Sequence, residues 1–107
     1  MDRIETMTDL LNYATEWVEA SRTALTGRGI EVGVDRSSGE RDNPSLWIDL
    51  DRGSRMVRLT LWSSGAAVLA VAEVGTGSIL LEEQLELVAT AALDETLRRA
   101  VTLASGE

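Results

Sequence analysis

The sequence contains no cysteine, histidine, lysine or phenylalanine, and only one proline, among its 107 residues. Each absence removes a class of chemistry. Without cysteine there is no disulfide framework, no thiol nucleophile, and no cysteine-ligated zinc or iron–sulfur site. Without histidine there is no imidazole base and no Ser-His triad. Without lysine there is no Schiff base and no P-loop lysine. Long apolar runs are missing as well. The longest, Ala66 to Ala72, falls far short of the ~20 residues a membrane-spanning helix needs. Met1 to Glu5 has no apolar stretch of the targeting-peptide kind. The expectation is a cytoplasmic protein that binds rather than catalyses, with no cofactor, no metal and no catalytic residue.

What is present is acid. Eighteen Asp and Glu face ten basic residues, all arginine, for a net charge of −8 and a pI near 4.5. Such a chain repels phosphate backbones and anionic membranes, so neither nucleic acid nor a lipid surface is an expected partner. A basic protein would be attracted and steered in. The acidity also serves solubility. Its distribution is uneven. From Glu73 onward seven acids (Glu73, Glu82, Glu83, Glu86, Asp94, Glu95, Glu107) face only Arg98 and Arg99. Residues 31–72 are nearly balanced, with six acids and five arginines. A basic partner is expected at the acidic C-terminal part, or on the side of Asp42, Asp49 and Asp51.

Length and a 44 % apolar content predict a single domain over residues 1–107. Ile4, Met7, Leu11, Ala14, Val18 and Leu25 recur at helical spacing, widened by Leu10 and Trp17. They predict a helix over about 6–26, capped by Thr6 with Asp9 and stopped by Gly27 and Gly29. The period then becomes two. Ile30, Val32 and Val34 mark a half-buried strand. Arg36 to Pro44 reads as an exposed loop.

Leu46, Ile48 and Leu50 mark a second strand. Val57, Leu59 and Leu61 mark a third, after a turn at Asp51 to Ser54. Closure through Arg52-Gly53 would set Ile48 opposite Val57, and Trp47 opposite Arg58. The fourth strand, Ala66 to Val74, is apolar on both faces. Leu69 and Val71 face inward if the preceding turn holds an odd number of residues; otherwise Val68, Ala70 and Ala72 do. Residues 78–88 fit either an edge strand with Glu83 turned inward or a helix, and the preceding turn favours the strand. A last helix over about Thr90 to Ala104, capped by Thr90, would bury Leu93, Leu97, Val101 and Ala104. The whole reads as α+β in the order α-β-β-β-β-β-α: an antiparallel meander with both terminal helices on one face.

Asp49 and Asp51 form a D-x-D pair that could hold Mg²⁺ with help from a phosphate. No third acid stands at a suitable spacing, so a solvated strand end is the simpler reading. Glu82 and Glu83 would point to opposite faces of a strand, and so do not form an acid–base pair. Gly27-Arg28-Gly29 and Gly75-Thr76-Gly77 are too short for a dinucleotide fingerprint. Trp47, Met56, Arg58 and Trp62 should share the sheet face opposite Leu46, Ile48, Val57 and Leu59. Trp and Arg are hot-spot residue types at interfaces. A covering helix, or a simple Arg58–Trp47 stack, would account for them equally.

One further pattern is carried by several segments together. A helix with Trp17 is followed by Gly29-Ile30-Glu31-Val32, then Asn43-Pro44-Ser45-Leu46-Trp47-Ile48-Asp49-Leu50-Asp51. Arg58-Leu59-Thr60-Leu61-Trp62-Ser63-Ser64-Gly65 and Glu73-Val74-Gly75-Thr76-Gly77 come next. The ensemble, from about Trp17 to Leu97, resembles the TriTu family of immunity proteins of bacterial polymorphic toxin systems. The resemblance implies a non-catalytic protein that neutralises a cognate toxin by binding it, the toxin being basic on the charge argument. Trp47, Asp49, Arg58, Trp62, Glu82 and Glu86 are the candidate contact residues, on a monomer or homodimer. A small acidic secretion chaperone, a homodimer wrapping an effector segment, is the alternative. A metal- or nucleotide-dependent enzyme using Asp49 and Asp51 is a third reading.

Overall fold

The computed structural model describes residues 3–36 and 44–106, with side chains from Leu10 onward. The apolar stripe of the N-terminal segment forms α1, Arg3–Gly27. Because the helix already includes Thr6, that residue does not cap it. The side chains of Ile4 and Met7, like the loop residues 37–43 with Asp42, lie outside the described residues. The helix ends in a Schellman motif. Gly29, at φ +83°, donates its N–H to the Thr26 carbonyl at 3.0 Å, and Ile30 donates to the Leu25 carbonyl at 3.0 Å. Leu25 and Ile30 are both buried, the apolar contact that accompanies this motif.

Five strands follow: β1 Glu31–Arg36, β2 Ser45–Arg52, β3 Arg55–Trp62, β4 Ala66–Glu73 and β5 Ser78–Glu86. They pair antiparallel in sequence order as one open sheet, and the chain closes with α2, Thr90–Ala104. The order, the single sheet and the α+β class are those expected from the sequence. Of the region 78–88, Ser78–Glu86 forms a strand rather than a helix.

Three local expectations are corrected. The β2–β3 hairpin closes through Gly53-Ser54 rather than Arg52-Gly53, so Asp49 faces Arg58, Ile48 faces Leu59, and Trp47 faces Thr60. The reason is conformational. Gly53 alone in this turn has positive φ, +61°, which a type II′ turn requires at its first central position. Moving the turn by one residue shifts the register by two and leaves every side chain on its face. At α2, Ala89 rather than Thr90 is the N-cap, without a side-chain cap bond. Its buried stripe is Leu93, Thr96, Leu97, Ala100 and Ala104. Val101 is half-buried and lines a groove instead.

The undecided parity of β4 is settled. Ala67, Leu69 and Val71 are buried and Ala66, Val68, Ala70 and Ala72 are half-buried. The loop Ser63-Ser64-Gly65 holds three residues, which turns Leu69 inward opposite Leu59. Leu46, Ile48, Leu50, Val57, Leu59, Leu61, Leu69 and Val71 thus make one continuous apolar face, each at most 2 % exposed. Each such side chain contributes roughly 1.5–3 kcal/mol relative to exposure. Both helices pack on this face, α1 over β1 and β2, and α2 over β2, β3 and β4. No described helix is long and apolar enough to cross a membrane.

Candidate functional site

With both helices on one side, the other face of the sheet is bare among the described residues. The register assigns its residues strand by strand. Glu31 and Asp35 come from β1, and Trp47, Asp49 and Asp51 from β2. Met56, Arg58, Thr60 and Trp62 come from β3, with Ala66, Val68, Ala70 and Ala72 from β4. Glu82, Gln84 and Glu86 come from β5. All six candidate contact residues therefore share this face. The small alanines of β4 leave two shallow depressions between taller neighbours. One of ≈ 270 Å³ is lined by Met56, Arg58, Ala70 and Ala72. Another of ≈ 250 Å³ is lined by Trp62, Val68, Gln84 and Glu86 among others. A two-sided apolar strand is normally covered on both faces; β4 is covered on one.

The centre of the face is pre-organised. Arg58 Nε donates to Asp49 Oδ1 at 2.7 Å and Nη2 donates to Oδ2 at 3.0 Å, a bidentate pair across β2 and β3. The same guanidinium sits 5.9 Å from the Trp47 ring centroid, within cation–π reach. Hydrogen bonding to Asp49 raises the Arg58 pKa above its ordinary value, with Asp49, Asp51 and Asp35 adding to the effect against some burial. Arg58 therefore stays charged, and Asp49 is already neutralised by it. This pairing argues against the D-x-D reading, since one of the two carboxylates is committed. Among the described residues no three metal-type ligands come together.

Asp51 is different. Its Oδ1 is out of solvent without a hydrogen-bond partner, and Glu31 stands directly opposite on β1. Burial, and then the charges of Asp49 and Glu31, push its pKa up. Like charges opposed across strands are destabilising.

The arginines explain where the negative charge is left over. Arg22 donates to the Val32 carbonyl (2.8 Å), tying α1 to β1, and Arg36 donates to Thr15 Oγ1 (3.2 Å). Arg28, Arg52 and Arg55 reach Ser105 Oγ, the Ser105 carbonyl and the Leu103 carbonyl at the end of α2 (3.1, 3.2 and 3.3 Å). That is where the helix dipole is negative. Arg98 pairs with Asp94 at 2.7 Å, and Asp94 also accepts from Tyr13 on α1 at 3.0 Å. That hydrogen bond raises the Tyr13 pKa. Arg99 grips Glu83 in bidentate fashion, at 2.6 and 2.9 Å. Glu83 is the inward charge expected on the edge strand; it lies opposite Leu69 and is satisfied from α2. Six of these arginines tie one element to another, while Arg98 pairs within α2. Sequence reasoning missed this role, since it depends on side chains reaching across elements.

On the bare face, by contrast, the described charges are six carboxylates (Glu31, Asp35, Asp49, Asp51, Glu82, Glu86) and Arg58 alone. The acidity is thus a property of one face more than of the C-terminal half. A larger groove, ≈ 440 Å³, runs between the helices past Trp17, Ala20, Ala24, Arg28, Arg98 and Val101. Its two arginines already have partners on the chain, so volume alone does not make it the better site.

Comparison with curated proteins gives no match. Comparison with protein families gives a match over residues 12–102 to the family described as immunity protein TriTu, a span that includes the whole sheet and most of both helices. On that match the chain belongs to the TriTu family of immunity proteins.

Proposed function

We propose that this chain protects a cell by binding a cognate protein toxin through the bare face of its sheet, without catalysing a reaction. Membership of an immunity-protein family supports toxin neutralisation. The observation that carries the choice of surface is the uncovered face itself. It has half-buried Trp47 and Trp62, the pinned Arg58, two depressions, and carboxylates at its borders. Aromatic and arginine anchors beside small hollows are what interface hot spots are made of. Glu82 and Glu86 on β5 complete the proposed contact set with Asp49.

Co-expression tests the reading. The protein encoded beside this chain's gene should arrest growth alone and be tolerated when this chain is present. An unprotected culture, with both proteins expressed, would contradict it. A secretion chaperone would use the same bare apolar strip differently, as a homodimer. Light scattering that shows an obligate dimer, coupled with export of the neighbouring protein, would favour that alternative.

A further inference from the structure

The borders of the bare face are acidic, while its centre holds the Asp49–Arg58 pair, whose charges offset one another. Along β1 and β2 run Glu31, Asp35 and Asp51, the last with an unpartnered oxygen. Along β5 run Glu82 and Glu86. Between them lies the strip of Trp47, Met56, Trp62 and the β4 alanines. Glu31 and Asp35 stand on β1 and Asp51 on β2, so the two acidic rails lie three to four strand spacings apart, roughly 14–19 Å at about 4.8 Å each. That separation is of the same order as the ≈ 12 Å width of the B-DNA major groove, which divides two phosphate strands.

Charges retained at a cost need an external explanation. Glu31 and Asp51 oppose each other across β1 and β2, and none of the six stapling arginines is spent on this face. A surface that presents two anionic rails fits one that holds two runs of phosphates. Resting on the toxin-binding reading above, we infer that the toxin surface seated on this face is the cationic cleft of an enzyme acting on nucleic acid. The chain then occupies the site of the phosphate backbone, with Trp47 and Trp62 supplying the apolar contact and Glu82, Glu86, Asp35 and Asp51 the charge. Its own acidity keeps it off nucleic acid, so it competes only for the toxin.

The test uses the full chain with the toxin encoded beside it. Affinity is measured across a salt series, with Glu82→Gln/Glu86→Gln, with Trp47→Ala, and in competition with a short DNA duplex and with a short RNA. The inference predicts affinity that falls steeply with salt, a loss of about tenfold or more in the double variant, mainly in association rate, and displacement by at least one polynucleotide. Which polynucleotide displaces it identifies the substrate. Salt dependence without displacement by either overturns the nucleic-acid assignment. Affinity indifferent to salt and to the double variant, but lost in Trp47→Ala, overturns the cationic cleft and leaves the toxin-binding reading intact. Affinity unchanged in every variant overturns both.

Discussion

Asp49 and Arg58 face one another across β2 and β3 as a two-bond pair, and Arg58 extends over Trp47. The pair is partly solvated, with side chains 27 % and 49 % exposed. Its contribution to stability is therefore small, and its effect is to hold Arg58 and Trp47 in one arrangement. A double-mutant cycle of Asp49→Ala and Arg58→Ala, followed by urea unfolding, should give a coupling of about 0.2–1 kcal/mol.

Asp51 costs stability where it stands. Its carboxyl is raised above the ordinary value by burial and by its acidic neighbours, so the folded state holds the proton more tightly than the unfolded chain. Stability should therefore fall as pH rises through the ordinary carboxylate range toward the raised folded value. Asp51→Asn should be more stable than the parent at neutral pH, by a few tenths of a kcal/mol after solvent screening. The gain should vanish in acid. Thermal melts at pH 7 and at low pH check both parts.

Glu83 has the opposite sign. The Arg99 guanidinium holds its carboxyl below the ordinary value. Its contribution is present above that ordinary value and is lost as pH falls through the lowered folded value. Glu83→Gln should lower the melting temperature slightly at neutral pH and match the parent at the acid end of the series.

The corner before β4 has little tolerance. Gly65 sits at φ +100°, and a Cβ there would lie 2.6 Å from the Leu87 carbonyl oxygen. Leu87 N–H also donates to the Gly65 carbonyl at 2.7 Å, so the two segments are held together. Gly65→Ala should cost about 2–3 kcal/mol or more from backbone strain and the clash. Gly75→Ala, which meets open space, should be close to neutral in the same denaturant assay.

These sites show what the sequence reveals and what it leaves open. Alternation in β2 and β3 gave the inward faces correctly, because their outward residues are polar or amphipathic. In β4 both faces are apolar, so its parity depended on the three-residue loop before it. The hairpin register depended on which residue of Asp51 to Ser54 takes positive φ, a choice made by Gly53. Val101 and Ala100 are adjacent on α2, and only the crossing of the helices decides which is buried. The shared face of Trp47, Asp49, Arg58 and Trp62 was legible from period two, and Glu82 and Glu86 join it by register. That one face is left uncovered was legible as well, from both helices packing on one side of the meander, although a covering helix would have explained Trp47 and Arg58 equally. The stapling role of the six arginines that cross between elements was not legible, since their partners lie up to 77 positions away, as for Arg28 and Ser105.

The claim that the bare face receives the toxin is tested most directly by the tryptophan indoles. The chain has three tryptophans, Trp47 and Trp62 on the bare face and Trp17 in the groove between the helices. In ¹⁵N–¹H spectra of the labelled chain, titrated with its toxin, the Trp47 and Trp62 indole signals should shift or broaden while that of Trp17 stays in place. Movement of Trp17 alone, with Trp47 and Trp62 unchanged, would place the toxin on the helices and contradict the account.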